Sequence, residues 1–101
     1  MIYKLVYANE AANDLQAIFD YIAQDDETRA SSYLGEIEKQ ILRLKDFSNI
    51  GHKSKYAELY ALGIKILPYD DYLIFHTVNE NAKEINIVRV LHGSVNYKRL
   101  F

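Results

Sequence analysis

From Ile2 to Tyr7 apolar and polar choices alternate among β-forming residues, the period of a strand. The period then changes. Ala11, Leu15, Ile18 and Ile22 recur at steps of 4, 3 and 4, with Ala12 and Phe19 beside them and Asn13, Asp14, Asp20 and Gln24 off the stripe. That spacing predicts an amphipathic helix. Asn9 is placed to cap it, because its side-chain oxygen can accept an orphan amide of the first turn. Asp25-Asp26 interrupts the pattern and offers a cap for a second helix, whose stripe runs Ala30, Tyr33/Leu34, Ile37, Ile41 and Leu44. So short a break predicts an antiparallel helical hairpin. Gly35 falls inside the second helix, where glycine costs about 1 kcal/mol relative to alanine, and points to close approach of the two helices.

After Phe47 the periodicity stops, and Ser48–Lys55 reads as a polar, turn-rich loop. Three strands are predicted beyond it, at Leu62–Leu67, Tyr72–Val78 and Glu84–Leu91. Pro68-Tyr69-Asp70-Asp71 and Asn79–Lys83 are the turns between them. Tyr72-Leu73-Ile74-Phe75 is apolar on both faces and therefore central, and the short turns favour antiparallel pairing. The predicted order is β-α-α-β-β-β. It gives an α+β fold with the helical hairpin packed on one face of a small, mainly antiparallel sheet.

Composition narrows the function. The 101 residues fit one domain over residues 1–101, with no linker, repeat or low-complexity tract. The chain has no cysteine, which removes disulfides, thiolate nucleophiles and cysteine-held metals and suits a reducing, cytoplasmic setting. No apolar run approaches the ~18 residues of a membrane span, and the opening lacks the layout of a signal peptide, so no membrane association is expected. The net charge of −2 hides an asymmetry. Residues 1–50 carry 5 Lys/Arg against 9 Asp/Glu, whereas residues 51–101 carry 7 against 5. A general nucleic-acid binder is strongly basic, so any basic surface here is local to the second half. Of the nine tyrosines, Tyr3, Tyr7, Tyr21, Tyr33 and Tyr72 fall in strands or helical stripes and are expected to pack in the core. Tyr56, Tyr60, Tyr69 and Tyr97 fall in loops, edges or the tail.

The chemistry is quickly reduced. His52, His76 and His92 have no metal-ligand spacing, the glycines form no phosphate loop, and no serine sits in a G-x-S-x-G elbow. No metal or cofactor is therefore expected. What remains is the C-terminal stretch Arg89–Phe101. By strand alternation Arg89 shares a face with Ile85, Ile87 and Leu91. His92 and Gly93 end the strand, and Tyr97-Lys98-Arg99 crowds a phenol and two cations beyond it. A phenol or imidazole beside arginines can act on an RNA 2′-hydroxyl, with the cations stabilising phosphorane charge. The same residues admit a structural reading, with Arg89 paired to an acid, His92 a strand-end hydrogen-bonder and the tail a solvated extension.

Along its whole length the chain resembles the RelE/ParE superfamily of bacterial type II toxin–antitoxin toxins, also called plasmid-stabilisation proteins. The residues that carry the resemblance are Tyr3-Lys4-Leu5-Val6-Tyr7, the helix with Ala12-Asn13-Asp14-Leu15, Ile18 and Tyr21-Ile22, and Tyr72-Leu73-Ile74-Phe75. The most specific are Ile87-Val88-Arg89-Val90-Leu91-His92-Gly93, followed by Asn96-Tyr97. The resemblance implies a growth-arresting toxin neutralised by a cognate antitoxin in a hetero-oligomeric complex. It also implies one of two targets: RelE-like members cut mRNA on the ribosome, and ParE-like members inhibit DNA gyrase. The nuclease pattern is departed from in the acidic overall charge, in Lys65 being the sole cation of the Leu62–Leu67 strand, and in Leu73, where cleaving members carry arginine. The ParE-like branch is favoured. A nuclease would use Arg89 and Lys65 for phosphate charge and His92 or Tyr97 for proton transfer. A gyrase inhibitor would use Arg89, His92, Tyr97, Lys98, Arg99 and Phe101 as target or antitoxin contacts. Ser94-Val95-Asn96 stands where relatives continue with two arginines and an aspartate, which leaves a third reading of an attenuated toxin acting as an antitoxin-binding module.

Overall fold

The computed structural model describes residues 3–101, so Ile2, the expected first residue of the opening strand, lies outside the described residues. Strand β1 (Lys4–Tyr7) leads into helices α1 (Asn9–Ala23) and α2 (Glu27–Arg43). A two-residue strand β2 (His52–Lys53) and a short helix α3 (Ala57–Ala61) follow, then β3 (Lys65–Tyr69), β4 (Tyr72–Asn79) and β5 (Glu84–His92), and a 3₁₀ turn at Tyr97–Leu100. The sheet order is β1-β5-β4-β3-β2, with β4 at the centre as its two apolar faces require. β1 runs parallel to β5, and all other pairs are antiparallel.

The helical hairpin covers one face. Ala11 and Ile18 of α1 and Ala30, Ile37 and Ile41 of α2, with Leu44 just beyond it, are buried as their spacing predicts. Ala11, Ile18, Ile37, Ile41 and Leu44 form one core with Ile74, Ile85, Ile87 and Val90 of the sheet. The α2 cap is Asp26, whose carboxylate accepts the Arg29 amide at 3.1 Å. The α1 cap is not Asn9. Ala8 holds that position, because its amide is still tied to the Ile87 carbonyl at 2.9 Å while its own carbonyl accepts the first helical bond from Ala12. The strand register thus starts the helix one residue early. Gly35 is not a close-approach site either: a methyl group added there would meet nothing within 4 Å. Gly35→Ala is therefore expected to stabilise the fold by about 0.5–1 kcal/mol through helix propensity and unfolded-state entropy. A rise in the urea midpoint at unchanged m-value would show it.

The other face is covered as well, by elements the sequence pattern did not announce. Leu59 of α3 packs with Ile64, Ile66, Phe75 and Leu91. The Phe75 ring is flanked by Tyr97, with ring centres 4.9 Å apart, and by Phe101 at 5.2 Å. Helix α3 has too few residues to show a period. It ends with Gly63 at φ +75°, where the Gly63 amide reaches the Tyr60 carbonyl and the Ile64 amide reaches that of Leu59. This Schellman closure absorbs Leu62, Gly63 and Ile64, so β3 begins at Lys65 and not at Leu62. At its far end β3 continues through Pro68 and Tyr69, expected as turn. The partner β2 pairs only with Lys65 and Ile66, so Pro68 lies on an open edge where its missing amide costs nothing. The turn shrinks to Asp70-Asp71. Between α2 and β2 the chain passes so close to β3 that a side chain at Gly51, φ +94°, would fall 2.7 Å from the Ile66 carbonyl oxygen. Glycine is required there.

Candidate functional site

The residues singled out in the sequence are held in four separate places. Arg89 is the most constrained. A register shift between Phe75 and His76 inserts one extra residue in β5, so the alternation expected to align Arg89 with both Ile87 and Leu91 is broken. Ile87 and Val90 face the helices, and Leu91 packs on the opposite face. β1 has already ended by this point, which leaves the β5 edge without a neighbouring strand. Asp14 of α1 replaces it. The carboxylate accepts Arg89 Nε at 2.8 Å, an Arg89 terminal nitrogen at 2.9 Å and the Val90 amide at 2.9 Å. The two side chains are only 21% and 13% exposed. This hydrogen-bonded pairing raises the Arg89 pKa, so the guanidinium is firmly charged and already occupied.

His92 ends β5 on the exposed side. Its Nδ1 lies 2.7 Å from the Ser94 hydroxyl, and its ring stands edge-on to Tyr72 at 5.3 Å. Tyr97 and Phe101 are not free tail residues, because both are half-buried against Phe75. Tyr97 also meets Tyr56 edge-on at 5.6 Å. Lys98 pairs with Glu58 at 3.6 Å and lies over the Tyr56 ring, while Arg99 is exposed. Lys65 pairs in register with His76 of β4 and is half-buried at the start of β3. β4 separates Lys65 from Arg89, which puts their backbones roughly 10 Å apart at ordinary strand spacing.

Other positions differ from their sequence pattern. Asp14 lies off the apolar stripe of α1, and its place next to Leu15 on the flank of that stripe is the only mark of its role in the sequence. Tyr21 and Tyr7, expected in the core, lie at the surface, 72% and 39% exposed. Tyr7, Ala12, Leu15, Phe19 and Leu34 instead line an apolar groove of about 480 Å³ along the hairpin. Among the described residues no group of three or more histidines and carboxylates is placed to hold a metal ion, and no helix is long and apolar enough to cross a membrane.

Comparison with known proteins places this arrangement. The family described as "ParE toxin of type II toxin-antitoxin system, parDE" matches residues 5–97. The chain belongs to the ParE toxin family. As a ParE-family chain it is a toxin of a type II toxin–antitoxin system. Among solved structures it is similar to a chain of the chromosomal ParDE toxin–antitoxin system of P. aeruginosa, with 25% identity, a TM-score of 0.72, and 90% of this chain and 96% of that one covered. The fold is shared with a chain of the RelBE2 toxin–antitoxin complex of Mycobacterium tuberculosis, at 16% identity and a TM-score of 0.55, covering 91% of this toxin and 99% of that chain. No curated protein matches the sequence.

Proposed function

We propose that this toxin arrests growth in the cytoplasm by ParE-like inhibition of DNA gyrase and is neutralised by a cognate antitoxin in a hetero-oligomeric complex. The family match over residues 5–97 supports the branch, and the observation that carries the choice of target is the Asp14–Arg89 pair. Ribonuclease chemistry needs unpaired cations and a proton-transfer group converging on one phosphate. Here Arg89 is spent on Asp14, Lys65 lies beyond β4, and Tyr97 is packed on Phe75. Contact with a protein target makes no such demand. The exposed His92, Lys98 and Arg99 serve it as surface contacts, with Tyr97 and Phe101 anchoring the tail from beneath and Arg89 holding the edge of β5. The apolar groove between α1 and α2 is the surface an antitoxin segment covers, in keeping with the similarity to toxins of antitoxin complexes.

A supercoiling assay with purified gyrase decides the target: inhibition or trapped cleavage complexes support it. Codon-phased cuts in mRNA from induced cells, without gyrase inhibition, would favour the nuclease instead. Unimpaired growth on expression of the toxin alone would leave only the antitoxin-binding role. Replacing Lys98 and Arg99 together by alanine is expected to weaken gyrase inhibition by roughly three- to ten-fold, as rim charges do, while leaving the melting temperature nearly unchanged.

A further inference from the structure

A second cavity, of about 510 Å³, opens at the end of the sheet where the β3–β4 turn, the β5 end and the helical hairpin meet. Its walls are aromatic. Tyr33 lies 6.0 Å from Tyr72 at a steep angle, and Tyr72 lies 5.3 Å from His92 in the same edge-on manner. Tyr21 stands at the mouth, 72% exposed. Asp70 and Asp71 supply two carboxylates, and among the described residues neither makes a salt bridge. The site is built and not merely crowded. The Tyr33 hydroxyl donates to Asp70 Oδ2 at 2.8 Å, and the Gly93 amide donates to the Asp71 carbonyl at 2.8 Å, tying the turn to both α2 and β5. Burial and that hydrogen bond raise the Tyr33 pKa, so it remains a neutral donor and a π surface.

We propose that this cavity is a guanidinium pocket that receives an arginine side chain from a protein partner of the toxin. Tyrosine rings set at steep angles attract a cation to their faces, and a planar guanidinium can stack while forking its donors onto adjacent carboxylates. An ammonium cannot do both. Two carboxylates against the single cation Arg29 leave the lining negative, which excludes phosphate and favours a cation. The exposed Tyr21, with Val95 next to the lip residue Ser94 in sequence, offers apolar surface to the chain on either side of an inserted arginine.

Titration of the purified toxin with the peptide Ac-Gly-Arg-Gly-NH2, followed by NMR shifts of Tyr33, Tyr72 and His92, tests this. Saturable binding is expected, at least ten-fold weaker for the isosteric citrulline peptide, three-fold or more weaker for the lysine peptide, and weaker for free L-arginine, which lacks flanking chain. Asp70→Asn should lose ten-fold; asparagine tolerates the left-handed backbone of Asp70 (φ 53°), so the turn persists. Tyr72→Leu should lose a similar factor, and Arg29→Gln should bind more tightly. Equal binding of the citrulline peptide, displacement by inorganic phosphate, or free arginine binding as tightly as the peptide would each overturn the proposal. These readouts involve no gyrase, so they stand apart from the outcome of the supercoiling assay.

Discussion

Asp14→Ala is expected to destabilise the toxin by about 3 kcal/mol, far more than a surface ion pair is worth. The substitution has two costs. It leaves the Arg89 guanidinium, only 21% exposed, without its counter-charge. It also leaves the Val90 amide at the edge of β5 without an acceptor, since β1 no longer runs beside it. Full burial of the pair would put the charge term alone at about 3–5 kcal/mol, and residual solvent access reduces it. Asp14→Asn keeps one acceptor oxygen for the Val90 amide and should lose about half as much. Arg89→Met leaves the Asp14 carboxylate, only 13% exposed, without its counter-charge, but that carboxylate still accepts the Val90 amide, so the loss should be smaller than for Asp14→Ala. Urea unfolding of the three variants and the Asp14/Arg89 double variant reads the coupling directly. A loss below about 1 kcal/mol for Asp14→Ala would mean that the pair is solvent-screened and not structural.

Acid is expected to cost the fold about 3 kcal/mol through one histidine. His76 of β4 is fully buried, and neither ring nitrogen has a hydrogen-bond partner of good geometry among the described residues. Burial lowers its pKa from 6.5 to about 4, with Lys65 adding to the effect and the nearby Ile74 backbone partly opposing it. The unfolded chain therefore takes up this proton near pH 6.5 and the folded chain only near pH 4. Stability is complete above pH 6.5 and falls as pH drops through that window. Carboxylates also titrate at the acid end, so the diagnostic quantity is the difference from His76→Leu. That variant removes two unpaired nitrogens, should be at least as stable at pH 7.5, and should show a flatter decline between pH 6.5 and 4. Parallel declines in the two proteins would rule His76 out as the source.

The helical stripes and the central strand were legible because each is written in residues close together in sequence. Ala11 to Ile22 and Ala30 to Leu44 are spaced to bury one face of a helix, and Ile74-Phe75 can only be apolar on both sides if both faces are covered. Shorter elements left no such mark. Helix α3 completes barely more than one turn, and β2 exists only because Gly51 lets the chain approach β3. The tail read as an extension because nothing local says that Tyr97 and Phe101 flank Phe75.

By itself, then, the sequence determined the α+β class, the hairpin, the central position of β4 and the resemblance to the toxin superfamily. Tertiary structure alone decided the state of the residues thought to work. Arg89 and Asp14 are 75 positions apart and meet because β1 stops short of the β5 bulge. Tyr33 and Asp70 are 37 positions apart and meet because the hairpin packs over the β3–β4 turn. Periodicity reports which face of an element is apolar. Whether a charge on that element is free or already neutralised depends on what the chain brings against it from far along its length.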